Sequence, residues 1–257
     1  MGSIRCQRIN PGASLRLFCF PFAGGIAVYN SWFEELPPDV QRATELCAVL
    51  FPGREAGAKE PLLFNLTPLL DMLVPEVASH QDLPFAFFGH SMGALVCFEM
   101  ARQLRRRSMP EPMHMIVSGH RAPQLQDHCP PIHELPDAEF QTQLRELGGT
   151  PETVLQNTEL MDLLLPVLRA DFAVCENYQY VDDEPLDCSI TAFGGNSDPR
   201  VSREELVGWQ AQTSKSFSVR MFPGGHFFVQ TAQRLVLRIL ADDLKQVLKD
   251  LPRTRTA

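Results

Sequence analysis

Phe85-Ala86-Phe87-Phe88-Gly89-His90-Ser91-Met92-Gly93 is the stretch on which the fold turns. An apolar run leads into Gly-x-Ser-x-Gly, and a segment of small and apolar residues follows. The order is strand, sharp turn, helix. Such a turn carries Ser91 at its tip in a strained backbone conformation and aims the hydroxyl out of the sheet edge. Glycine is expected at 89 and 93 because strand and helix approach too closely for a Cβ. Met92 would open the helix, so its N–H and the positive end of the helix dipole face the space above Ser91. The pentapeptide alone is common. The strand before it and the helix after it make it a candidate nucleophile elbow.

Working outward, Leu15-Arg16-Leu17-Phe18-Cys19-Phe20 reads as a strand ended by Pro21. Pro21-Phe22-Ala23-Gly24-Gly25 follows, and a glycine pair just after a strand permits positive φ and bares backbone N–H groups. Beside a nucleophile elbow, this segment is the candidate second half of an oxyanion hole, with the N–H of Phe22 or Ala23 joining that of Met92. Trp32 and Phe33 begin a short helix expected to end at Pro37-Pro38. Glu45–Leu50 reads as a strand closed by Pro52-Gly53. Arg54, in Pro52-Gly53-Arg54-Glu55, reads as an exposed loop arginine, with a place at the site mouth as the alternative. Helical spacing runs from Leu69 to Val77.

The helix after the elbow presents Leu95, Val96, Phe98, Ala101 and Leu104 on a broad face and ends at Arg105-Arg106-Arg107. That run reads as a solvated C-terminus complementing the dipole, with a docking patch for an acidic partner as the sharper alternative. Met113–Ser118 is the next strand. From about 121 to 184 the chain opens proline-rich and then turns to helical spacing at Phe140, Leu144 and Leu147, and at Leu160, Leu163, Leu164, Val167 and Leu168. Short amphipathic helices inserted between strands are where lids are built. Leu186–Phe193 and Phe217–Phe222 return to strand, Glu204–Gln212 reads as a helix, and a long helix is expected from about 232 to 248, with a short basic tail beyond. The fold class expected is α/β: one domain, 1–257, with a mostly parallel sheet flanked by helices and a helical lid at about 121–184.

A serine hydroxyl is a poor nucleophile at neutral pH and needs a base that is itself oriented by a third group. Behind an elbow of this kind the partners follow in the order acid, histidine. Ser91, Asp198 and His226 stand in that order, and the last two sit in glycine-rich loops, Gly194-Gly195-Asn196-Ser197-Asp198 and Pro223-Gly224-Gly225-His226, each just after a strand. Asp127, after the preceding strand, is the alternative acid. His90 is adjacent to Ser91, and neighbours at a tight elbow point apart, so it is expected to pack beside the strand.

The 257 residues carry a net charge of −8, which argues against a nucleic-acid role, since phosphate binding needs a basic face. The seven cysteines show no metal-ligand spacing, and several lie in apolar runs and read as small buried hydrophobes, as in a reducing compartment. Met1-Gly2-Ser3-Ile4-Arg5-Cys6 lacks the apolar core of a signal peptide, and no stretch is long and apolar enough to span a membrane. A cytoplasmic, soluble monomer with no metal and no cofactor is expected.

Taken together, Cys19–Gly25, Pro52-Gly53-Arg54, Phe88–Gly93, Ser118-Gly119-His120-Arg121-Ala122-Pro123, Leu147-Gly148-Gly149-Thr150, Leu168-Arg169-Ala170-Asp171-Phe172 and Phe222–Phe228 resemble the stand-alone type II thioesterases of polyketide and nonribosomal peptide synthesis. These are kin of the chain-releasing thioesterase of animal fatty acid synthase, in the α/β-hydrolase superfamily. The resemblance covers nearly the whole chain and matches Ser91, Asp198 and His226 one by one. It implies hydrolysis of acyl thioesters on the phosphopantetheine arm of acyl or peptidyl carrier-protein domains, usually to edit stalled or misloaded chains. A medium-chain fatty acyl thioesterase and a general carboxylesterase are the alternatives.

Overall fold

The structure, a computed structural model, describes residues 4–6, 10–25, 28–29, 31–54 and 59–251. The expected basic tail, Glu55 and the first three residues lie outside them. Among the described residues seven strands form one sheet: β1 (Ile4–Cys6), β2 (Leu15–Phe20), β3 (Thr44–Val49), β4 (Phe85–His90), β5 (His114–Ser118), β6 (Ser189–Gly195) and β7 (Phe217–Phe222). The spatial order is β1-β3-β2-β4-β5-β6-β7, with β1 antiparallel and every other pairing parallel. The mostly parallel sheet expected from the sequence is present.

The parallel strands are apolar on both faces because helices cover both. In β2, Leu15, Leu17 and Cys19 face one layer while Phe18 and Phe20 face the other. In β4, Phe85 and Phe87 alternate with Ala86 and Phe88 in the same way. One layer is built by α1 (Trp32–Glu35), α2 (Pro38–Ala43) and the long C-terminal helix α10 (Gln233–Asp250). The other is built by α3 (Leu66–Ala78) and α4 (Met92–Arg106). The first helix stops before Pro37-Pro38, as expected, and Pro38 opens α2, at the first-turn position where a missing N–H costs no hydrogen bond.

Between β5 and β6 lie α5 (Asp137–Leu147), α6 (Glu152–Leu155) and α7 (Thr158–Glu176), and after β6 comes α8 (Arg203–Val207), continued by a 3-10 turn. The short α9 (Phe228–Thr231) precedes α10. The helix at 158–176 differs from the expected stripe. Leu163 is 73% exposed and Leu160 43%, whereas Met161, Leu165 and Leu168 are buried with Phe140, Leu144 and Leu155. A leucine-rich segment offers several helical stripes, and packing against α5 selects one of them.

The expectation for the cysteines changes at one pair. Cys6 and Cys47, read as unpaired, form a disulfide because β1 sets them directly opposite each other on β3. A separation of 41 residues in sequence carries no hint of that register. Glu45 lies beside the same two sulfurs but is held by Arg16 across the β2–β3 pair, with Nε to Oε2 at 2.7 Å. The Arg105-Arg106-Arg107 run is paired within the chain: Arg105 and Arg106 reach Asp183, and Arg107 reaches Asp71. Among the described residues no helix is long and apolar enough to cross a membrane.

Candidate active site

The elbow has the strained geometry its sequence calls for. Ser91 has φ 53° and ψ −119°, well outside the regions that side-chain-bearing residues prefer. A Cβ at Gly89 would lie 2.2 Å from the carbonyl oxygen of Gly93, and one at Gly93 would lie 2.1 Å from that of Phe20. Both positions therefore exclude every other residue. The strain is held by neighbours: the Ser91 N–H donates to the Ser118 carbonyl at 2.7 Å, and α4 behind it is buried on almost every side for three turns.

The three residues expected at the site meet at the C-terminal edge of the parallel strands. His226 Nε2 lies 3.0 Å from Ser91 Oγ, and His226 Nδ1 lies 2.9 Å from Asp198 Oδ2. The tautomer that satisfies both contacts carries its proton on Nδ1, donates it to Asp198 and accepts from the serine hydroxyl. The second carboxylate oxygen of Asp198 accepts the backbone N–H of Arg200 at 2.8 Å, and the Asp198 side chain has no exposed surface. The loops carrying the two residues are pressed together: a Cβ on Gly195 would lie 2.4 Å from the Gly225 carbonyl. Asp127, the alternative acid, instead faces Arg121 at 2.9 Å.

His90 packs beneath the site, as its position beside the elbow predicts. Its Nδ1 is 2.9 Å from Ser118 Oγ, and its ring contacts Phe22 and Phe228 edge-on, 5.2 Å from the His226 ring. Burial, reinforced by His226 nearby, pushes its pKa well down, so it stays uncharged. His120 is also buried, which lowers its pKa to about 4.

Phe22, Ala23, Ser91, Met92 and His226 line one cavity of about 80 Å³, whose apolar wall includes Leu144, Leu147, Leu168, Phe172 and Phe227. In the turn after β2, the Gly25 N–H donates to the Phe22 carbonyl at 2.8 Å and the Gly24 N–H donates to Asp171 at 2.9 Å. The N–H groups of Phe22, Ala23 and Met92 make no hydrogen bond among the described residues, and all three residues line the cavity.

Two residues at this site escape the sequence reading. Arg54, expected on an exposed loop, is only 5% exposed and bound to Asp171. The motif Leu168-Arg169-Ala170-Asp171-Phe172 contains Asp171 without marking a role for it. Its signal was available: it stands one helical turn beyond Leu168 on the buried stripe of α7, where an acid without a partner is costly.

A sequence profile of the thioesterase domain matches residues 15–244. The gramicidin S biosynthesis protein GrsT of Aneurinibacillus migulanus is 45% identical over 241 residues, 93% of each chain. The solved RedJ thioesterase of the prodiginine biosynthetic pathway in Streptomyces coelicolor superposes with a TM-score of 0.82 at 37% identity, covering 90% of this chain and 85% of that one. The type II thioesterase BorB of the borrelidin biosynthetic cluster gives 0.81 at 32% identity, with 93% and 96% covered. The resemblance read from the motifs therefore holds along almost the entire length, and the chain belongs to the thioesterase family, hydrolases of thioester bonds built on the α/β-hydrolase fold.

Proposed function

We propose that this chain hydrolyses acyl thioesters borne on the phosphopantetheine arm of carrier-protein domains, editing or releasing chains on a polyketide or nonribosomal peptide synthase. The observation that carries the reading is the continuous contact Ser91 Oγ–His226 Nε2–Asp198 at 3.0 and 2.9 Å. Ser91 Oγ attacks the thioester carbonyl while His226 takes its proton at Nε2. Asp198 holds the ring in place and stabilises the imidazolium. The N–H of Met92 and that of Ala23 or Phe22 bind the developing oxyanion, an effect of about 3–4 kcal/mol per donor. Collapse breaks the C–S bond, and the thiol leaves with the proton held by His226. Water, deprotonated by the same histidine, then cleaves the Ser91 ester and releases the free acid. These steps call for no metal or diffusible cofactor.

In this reading the chain is one domain, 1–257, and the segment at about 121–184 is its lid. Support comes from α5 and α7, whose Leu144, Leu147, Leu168 and Phe172 wall the cavity. We read the protein as a cytoplasmic monomer, the compartment in which carrier-bound chains are made. The five other cysteines, all among the described residues, are free thiols, consistent with that setting; the Cys6–Cys47 bond is the feature that stands against it.

Mass spectrometry of a panel of acyl-carrier proteins, with acyl-CoA and p-nitrophenyl esters alongside, tests the proposal. Carrier-bound acyl groups are expected to be removed fastest, and Ser91→Ala is expected to leave them intact. Equal turnover of all three substrate classes would instead support a general carboxylesterase.

A further inference from the structure

A second carboxylate is buried at the cavity wall, away from the Ser91–His226–Asp198 chain. Asp171 lies on α7 with its side chain 1% exposed. Its Oδ1 accepts from Arg54 Nε at 2.9 Å and from a terminal guanidinium nitrogen at 2.8 Å. Its Oδ2 accepts the backbone N–H of Gly24 at 2.9 Å. Arg54 also donates to the carbonyls of Pro52 at 2.6 Å and Leu63 at 3.2 Å, so the guanidinium is enclosed by the chain and not presented to a ligand. An ion pair that served packing alone would need only its two partners. This one sends half of the carboxylate to a backbone amide of the turn after β2.

That amide belongs to the turn whose preceding residues, Phe22 and Ala23, line the same cavity as Ser91. Gly24 has φ 74°, and glycine adopts positive and negative φ about equally well. Nothing intrinsic to Gly24 selects the observed rotation of the Ala23–Gly24 peptide. Two groups on one face of α7 do. Asp171 receives the Gly24 N–H, and Leu168, one turn earlier, fills the space a Gly24 Cβ would enter, 2.7 Å from it.

We propose that Asp171, held by Arg54, is a positioning residue that locks the Phe22–Gly25 turn so that its free N–H meets the oxyanion, tying oxyanion-hole geometry to the seating of α7. This rests on the thioesterase mechanism proposed above. With the Ala23–Gly24 peptide free to rotate, substrate would still bind through the apolar wall, but the neighbouring N–H of Ala23 or Phe22 would be badly presented in the transition state. The expected signature is therefore a fall in kcat with KM little changed.

The test uses Asp171→Asn and the apolar pair Arg54→Leu/Asp171→Leu. Replacing a buried ion pair by apolar groups commonly preserves stability, so the pair separates positioning from folding. Each variant is expected to lose about 10- to 100-fold in kcat with KM within about three-fold, as a small displacement of an oxyanion donor does. Affinity for an acyl trifluoromethyl ketone, which forms a tetrahedral adduct on the serine, is expected to fall by the same factor as kcat/KM. Arg54→Lys, which keeps a cation on Asp171, is expected to restore most of the rate. If the double variant does not fold, Asp171→Asn alone supplies the same comparison. Unchanged kcat, or lowered kcat with undiminished ketone affinity, overturns the positioning role. Ser91→Ala run beside them keeps the two readings apart: if it stays active, the mechanism itself fails, whatever Asp171 does.

Discussion

Asp198 and Asp171 are both buried beside the same cavity, and each divides its two oxygens between a side chain and a backbone N–H. Asp198 holds the imidazole of His226 and the Arg200 amide; Asp171 holds the guanidinium of Arg54 and the Gly24 amide. The partners differ in one respect that matters. An imidazole gains and loses a proton within the reaction, whereas a guanidinium stays charged throughout. In the proposed mechanism Asp198 responds to charge that appears during turnover, and Asp171 acts only through geometry. Burial pushes the Asp171 carboxyl upward, and Arg54 followed by the Gly24 N–H opposes that push. The same chemistry, buried acid with two donors, serves two ends according to what the donor can do.

The comparison can be broken at several points, and the largest effect is expected at Ser91. Ser91→Ala is expected to lower kcat by about 10⁵- to 10⁶-fold in carrier-thioester hydrolysis. Asp198→Asn should cost about 10⁴-fold, because the amide favours the wrong imidazole tautomer while leaving the shape intact. The same change at Asp171 is expected to stay within about 100-fold. Equal losses at the two acids would erase the distinction drawn here. Asp127→Ala separates the candidate acids: with its carboxylate on Arg121, its loss is expected to change kcat by less than about ten-fold.

A third acid supplies the control, since one of its oxygens has no partner. Asp243 on α10 has Oδ2 buried without a hydrogen bond, and its pKa is pushed up to about 6 by burial, against the pull of Arg220 and of a Thr191 hydrogen bond. A raised folded pKa favours the protonated acid in the native state. Its contribution to stability is present in full below pH 4 and is lost as pH rises through 6. Asp243→Asn is therefore expected to be more stable than the wild type by about 1 kcal/mol at pH 8 and no more stable at pH 4, by denaturant titration. A pH-independent difference would remove this acid as the unpartnered reference for the other two.

Much of this site could be read from residues alone because its signals are local. The elbow compresses strand, turn and helix into nine residues, and Gly89 and Gly93 record in the sequence a close approach that the structure bears out. His226 and Asp198 each sit in a glycine-rich loop at a strand end, and chain order links them to the serine. What stayed hidden depends on tertiary placement. Arg54 looks like any loop arginine until α7, more than a hundred residues later, lays Asp171 over it. Cys6 meets Cys47 only through an antiparallel register that nothing in a three-residue strand announces. The buried face of α7 is not legible in the sequence, because Leu160 and Leu163 fit a helical stripe as well as Met161 and Leu165 do, and only packing chooses.

Active-site phosphonylation tests the central claim most directly. A fluorophosphonate mimics the acyl group and is captured only by a serine whose proton a neighbouring base accepts. One phosphonyl group per chain is expected, mapped by mass spectrometry to Ser91, with thioester hydrolysis lost in step and labelling slowed greatly in His226→Ala. Full thioesterase activity with Ser91 labelled, or inactivation by a label at another residue, would contradict it.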